Sequence, residues 1–299
     1  MRMRKAACAS VVCGSAFGAF VIACGSDKNT ATPDSKPIDA RPIDTVTPDA
    51  SPYDFSCLNN PPPGTGSASI TLSGAAVEVS VSFSGGSAMP MLNALGSASV
   101  DACKNQGSDC TLTNHFGTTA TTDGSGNWSI GPIVPVPANS PLDAYLHLTP
   151  PAGSNPGSGD VPVNVYPAFP FVADQANIPI ITFPKTLITE LALLAGKTQH
   201  ATNGAVLLLV QDCASKGITG ATIHAQINGT GTDYGAGAVA APGLGSGSAG
   251  GGYIVFDVPP GAVTLSATVG SVTFRTSPAQ VVTTVASELT ATQVVPGAN

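Results

Sequence analysis

Seven cysteines, four histidines and one tryptophan carry most of the specific chemistry available to this 299-residue chain. Cys24 closes an uncharged, Ala- and Val-rich run, residues 6–23, that follows Arg2, Arg4 and Lys5. A positive stretch followed by an apolar one is the layout of a secretory signal peptide, and its small residues make it a poor permanent span. Four cysteines lie beyond it: Cys57, Cys103, Cys110 and Cys213. An even number in an exported chain suggests disulfides, with three possible pairings. Cys103 and Cys110 bracket KNQGSD, a loop short enough to close locally. Cys57–Cys213 would then be the second bridge, with two free buried thiols as the alternative.

The other reactive types form no catalytic set. His115, His147, His200 and His224 stand in no HExxH and at no metal-ligand spacing, and His147 and His224 fall on the expected outer faces of strands. No G-x-S-x-G provides a nucleophile elbow. Asp123-Gly-Ser125-Gly-Asn127 alternates oxygen side chains as a calcium loop does. It has one carboxylate and lacks the distal glutamate, so a hairpin turn is expected. Trp128 and Tyr145 are the candidates for stacking on a sugar, and both also suit core positions. No enzyme activity, cofactor or metal is expected from these residues.

Charge narrows the partners. Loss of residues 1–23 would take three of the 11 basic residues and none of the 18 acidic ones, moving the formal net charge from −7 to −10. Nucleic acid is therefore not an expected partner. Residues 25–56 (GSDKNTATPDSKPIDARPIDTVTPDASPYDFS) are dominated by Pro, Asp, Thr and Ser and read as a disordered, extended spacer.

The elements beyond Cys57 must position whatever function there is. Only 10% of the residues are charged, and 34 Gly and 26 Pro interrupt short runs of Val, Ile and Thr, a pattern of all-β sandwiches. Val77, Val79, Val81 and Phe83 alternate with polar residues, as in a half-buried strand. Residues 97–103, 118–122, 127–130, 144–149 and 161–166 are further strand candidates. In the second half, 205–211 (AVLLLVQ) is almost continuously apolar, as a central strand would be. Strands are also expected at 221–227, 253–258, 263–269, 272–275, 281–285 and 289–295. Residues 184–196 break the rhythm: Leu187, Ile188, Leu191 and Leu194 share a helical face, with Pro184 and Gly196 at the ends.

Two resemblances add to this reading. Val21-Ile22-Ala23-Cys24 resembles the lipobox of bacterial lipoproteins. That implies a diacylglyceryl group on Cys24, cleavage before it, and anchoring to the cell envelope, with the outer membrane expected. Ordinary cleavage after Ala23 is the alternative. GAVLLLVQDCASKGITGATIHAQI and GGYIVFDVPPGAVTLSATVG, from Gly204 to Gly270, resemble the carboxypeptidase regulatory-like domain, a transthyretin-like β-sandwich. Residues 121–130 with Tyr145-Leu146 resemble it more thinly. The resemblance implies fold and a non-catalytic role.

The expected chain is thus a signal peptide (1–23), a lipidated cysteine and spacer (24–56), a first sandwich (57–170), a connector (171–199) with helix 184–196, and a second sandwich (200–299). Each sandwich should hold its own core, so 200–299 should fold alone. The expected role is structural or interactive, with an envelope protein or glycan as partner. A carbohydrate- or peptide-binding adhesion module is the alternative.

Overall fold

Among the described residues, sixteen strands and one α-helix form, most of them where the sequence alternates or runs apolar; the strands Ser87–Ala94, Gln175–Thr182 and Val239–Ala240 are not among those expected, and Gln175–Thr182 lies within the expected connector. The computed structural model describes residues 51–299 except 85–86, 106–109, 111–113, 152–158, 241–249, 276–278 and 299. The first half supplies β1 (Ile70–Ser84), β2 (Ser87–Ala94), β3 (Ser99–Lys104), β4 (His115–Thr121), β5 (Asn127–Ile133), β6 (Ala144–Thr149), β7 (Val163–Tyr166) and β8 (Gln175–Thr182). After α1 (Lys185–Leu194) come β9 (Gly204–Val210), β10 (Thr222–Ile227), a 3₁₀ turn at Tyr234–Gly237, β11 (Val239–Ala240), β12 (Gly252–Val258), β13 (Gly261–Val269), β14 (Val272–Phe274), β15 (Gln280–Thr284) and β16 (Leu289–Val294). Val81–Met91, the far end of β1 and the near part of β2, belongs to a unit of its own. The body comprises Ser51–Ser80 and Leu92–Asn299.

The architecture is the expected all-β sandwich type with one helix. Two four-stranded sheets accompany a long one. The first has the order β2-β1-β5, with β8 also on β1, and the second β10-β13-β14, with β15 also on β13. The long sheet runs β11-β12-β9-β16-β7-β6-β3-β4 and takes strands from both halves. β16 makes the join, pairing in parallel with β9 on one side and β7 on the other. The halves are therefore more intimately connected than beads on a string.

Burial alternates across the long sheet. On β9, Ala205 and Leu207 belong to one hydrophobic core, while Val206, Leu208 and Val210 belong to the other. On β12, Ile254 and Phe256 join the first core, and Tyr253, Val255 and Val258 the second. Both faces of these strands are apolar because both are covered, which is why AVLLLV shows no period of two. The first core also holds Ile70, Leu72 and Ile130 from the first small sheet, and the second holds Ile223, Val263 and Leu265 from the other.

Three local expectations are corrected. The turn at Asp123 is not a hairpin: β4 pairs with β3 in the long sheet and β5 with β1 in a small one, so the chain crosses between sheets there. The helix begins after Pro184 and ends in a Schellman turn: Lys197 N–H donates to Ala192 O, and Gly196 N–H to Leu193 O, with Gly196 at φ +68°. Its buried stripe is Ile188 and Ala192, flanked by Leu187, Leu191 and Ala195, while Leu194 is 76% exposed. At about 100° per residue, Leu194 lies roughly 120° from Ile188 and roughly 160° from Ala192, well off that stripe. Finally, the last residues of the expected spacer are packed. Tyr53 and Phe55 lie against the second core, and Asp54 N–H donates to Asp212 Oδ2 at 3.0 Å.

Candidate functional site

An open cleft of about 430 Å³ lies in the body. Its floor is the sheet surface near the C-terminal ends of β9 and β16, including Leu209 and Gln293. One wall is the segment 167–172, which presents Phe169 and Phe171, and the other is β8, which presents Gln175 and Asn177. This volume lies within the range of small-molecule sites.

The walls are held from behind. Phe171 exchanges both backbone hydrogen bonds with Leu142, at 2.7 and 3.0 Å. Gln280 Nε2 donates to Pro167 O and to Thr292 Oγ1, and Thr292 Oγ1 donates to Tyr166 O. Arg275 Nη2 donates to Ala168 O at 2.9 Å and to Gln280 Oε1, with the guanidinium 4.5 Å from the Phe169 ring centroid. Arg275 is 5% exposed, and its Nε and Nη1 have no partner among the described residues. Burial pushes its pKa down to about 10.

The β8 wall depends on one glycine. A Cβ at Gly74 would sit 1.9 Å from Ile178 O, so only glycine lets β1 and β8 approach here. The register slips between Leu72 and Gly74 of β1, and Asn177 takes φ +60° at this irregularity. Such bulges re-aim side chains, and Asn177 is among the residues lining the cleft. Asp174 is turned to Thr71, whose N–H it accepts at 2.7 Å.

The residues singled out from sequence are dispersed. Cys24 lies outside the described residues. Cys103–Cys110 and Cys57–Cys213 are both bonded. Trp128 is 4% and Tyr145 2% exposed, and Tyr145 stacks on Tyr166 at 4.7 Å between centroids. Neither offers a ring face to a sugar. Asp123 is saturated locally, accepting from Asn127 and Ser125 backbone N–H groups and from Asn127 Nδ2. Those hydrogen bonds, from Asn127 above all, hold its carboxyl below the usual range.

Sequence reasoning missed the acid partners of the histidines. His200 Nδ1 sits 2.9 Å from Asp257, and His224 Nδ1 2.7 Å from Asp233. His115 is 3.8 Å from Asp101, while His147 Nδ1 meets Asn164 Oδ1 at 2.8 Å. Burial raises Asp257 and Asp233, but hydrogen bonds outweigh it and leave both below the usual carboxylate range. For Asp257 the donors are His200 and Asn203; for Asp233 they are Ala225, His224 and Gly235. None of these pairs lies in the large cleft. That cleft was missed too, although Pro167-Ala-Phe169-Pro-Phe171 concentrates two prolines and two aromatics in five residues.

No family model matches this chain, and no curated protein matches it. Similar solved structures include the Bacillus anthracis TIE protein, with 13% identity and TM-score 0.20, covering 76% of this chain and 33% of that one. A streptococcal ancillary pilin has 12% identity and TM-score 0.21, over 76% and 62% of the two chains. The shaft pilin SpaA of Lactobacillus rhamnosus GG has 10% identity and TM-score 0.20, over 77% and 96%. The chain thus spans a third of the first and under two thirds of the second. At these TM-scores the likenesses carry no inference about function.

Proposed function

We propose that this chain is a non-catalytic interaction protein of the cell envelope, exported and held to a membrane by lipid on Cys24. The observation that carries the reading is how the cysteines are used. Cys57–Cys213 and Cys103–Cys110 take up every cysteine after Cys24. Two structural bridges suit an oxidising compartment, and Cys24 follows an apolar run in the order that lipoprotein processing needs. Two or three acyl chains there would give stable anchoring where one would be marginal. The residues between Cys24 and Tyr53 then act as a spacer between membrane and body. The cleft favours a binding role over a purely structural one.

Cys24→Ala tests the anchor. The substituted protein should move from the membrane fraction to the soluble one and lose incorporation of labelled palmitate. If it stays in the membrane at the wild-type level, the lipid anchor is ruled out.

A further inference from the structure

We infer that the cleft between 167–172, β8 and β16 is a binding site for an uncharged oligosaccharide. This deepens the interaction reading, on which it rests, and is independent of the anchor. The first argument is charge. None of the side chains lining the cleft is charged, in a chain whose formal net charge is −7. The acid nearest in sequence, Asp174, is committed to Thr71. The nearest cation, Arg275, is 5% exposed behind the Phe169 wall and turned to the Ala168 and Gln280 oxygens, so a ligand seated in the cleft meets no charged side chain directly.

The second argument is the kind of polar group present. Gln175, Asn177 and Gln293 are exposed amides on the cleft. Each amide side chain both donates and accepts, which matches hydroxyl groups, themselves donors and acceptors. Phe169 and Phe171 are half-buried rings able to pack against the C–H face of a pyranose. Apolar surface with a few convergent polar groups is the usual composition of such sites.

The third argument disfavours an extended peptide. Among the described residues β8 pairs with β1 alone, which leaves its other edge without a strand partner there. However, Pro179 interrupts it and removes a backbone donor, a feature that blunts strand addition.

The test is calorimetric titration of the purified full-length protein with maltotriose, cellotriose and chitotriose, beside anionic trigalacturonate and a proline-rich decapeptide. At least one neutral trisaccharide should bind. Asn177→Gly retains the φ of +60° at no steric cost, so the melting temperature should hold while binding weakens about tenfold. Phe171→Ala should weaken it further. Binding of the peptide alone would overturn the saccharide assignment and leave the interaction reading standing. Preference for trigalacturonate would overturn the claim of an uncharged ligand. Binding that Asn177→Gly leaves unchanged would place the ligand elsewhere, and no binding by any probe would overturn the saccharide site while leaving the interaction reading to a protein partner.

Discussion

Asp257 and Asp233 make the protein's acid sensitivity concrete. Both carboxyls sit below the usual range in the folded state, held by hydrogen bonds that outweigh their burial. A carboxyl with a folded pKa below its unfolded value stabilises the fold above the unfolded value, and that contribution fades as pH falls through the folded one. Thermal stability followed by circular dichroism should therefore drop below about pH 4, and Asp257→Asn should flatten the drop. Trp128 is a second residue with a readable outcome. Its indole N–H is buried without a partner among the described residues, so Trp128→Phe discards an unsatisfied donor along with some volume. Trp128→Phe should cost about 1 kcal/mol or less and Trp128→Ala about 3–5 kcal/mol in denaturant unfolding. Its core position is expected from the resemblance to the carboxypeptidase regulatory-like domain and not from the spacing of its own strand. The His200–Asp257 pair was not legible, because 57 residues separate its members.

At the scale of elements, β8 and α1 depend on different things. β8 rests on β1 through Gly74, where any Cβ meets backbone rather than a yielding side chain. Gly74→Ala should destabilise by about 3 kcal/mol or more and disrupt the cleft wall, whereas Gly64→Ala, with nothing within 4 Å, should be almost silent. On α1, Ile188→Ala should cost about 2–4 kcal/mol, and Leu194→Ser, on the exposed side, under about 0.5 kcal/mol. Strand positions were legible because alternation reports whether a face is covered. What covers it was not. The same pattern in β4 and β5 says nothing of their membership of different sheets, and a parallel partner such as β8 or β16 leaves no local turn signal. The cleft was illegible for that reason: its parts lie far apart in the chain and meet only through such pairings.

For the whole molecule, the shared sheet changes what a truncation should do. Ala205, Leu207, Ile254 and Phe256 belong to a core built largely from the first half, and β16 gives one of its edges to β7. Residues 200–299 alone would expose that face and unpair the β16 edge from Leu289 to Thr292. Each large buried side chain is worth about 1.5–3 kcal/mol, against a total stability of about 5–15 kcal/mol. The isolated segment should therefore lack a cooperative melt, and 180–299, which adds α1, should recover part of one. A melt of 200–299 within a few degrees of the full chain would show instead that its sheet pair is self-sufficient, as expected if each half holds its own core.

The Cys57–Cys213 bridge can also be considered as a mechanical part. Any pull arriving along the chain from the N-terminal side reaches Cys57 and passes through a covalent bond to Cys213, just beyond the end of β9. The C-terminus closes on the same spot: Asn59 N–H donates to Pro296 O, and Ala298 N–H to Asn60 O. The load therefore enters where β9 and β16 end, and the 156-residue stretch that the bridge spans is shielded from extension. Reduction would release that stretch, about 500 Å of chain at full extension. A protein held at one end while gripping a ligand in the cleft would keep its grip under tension only while that bond is closed.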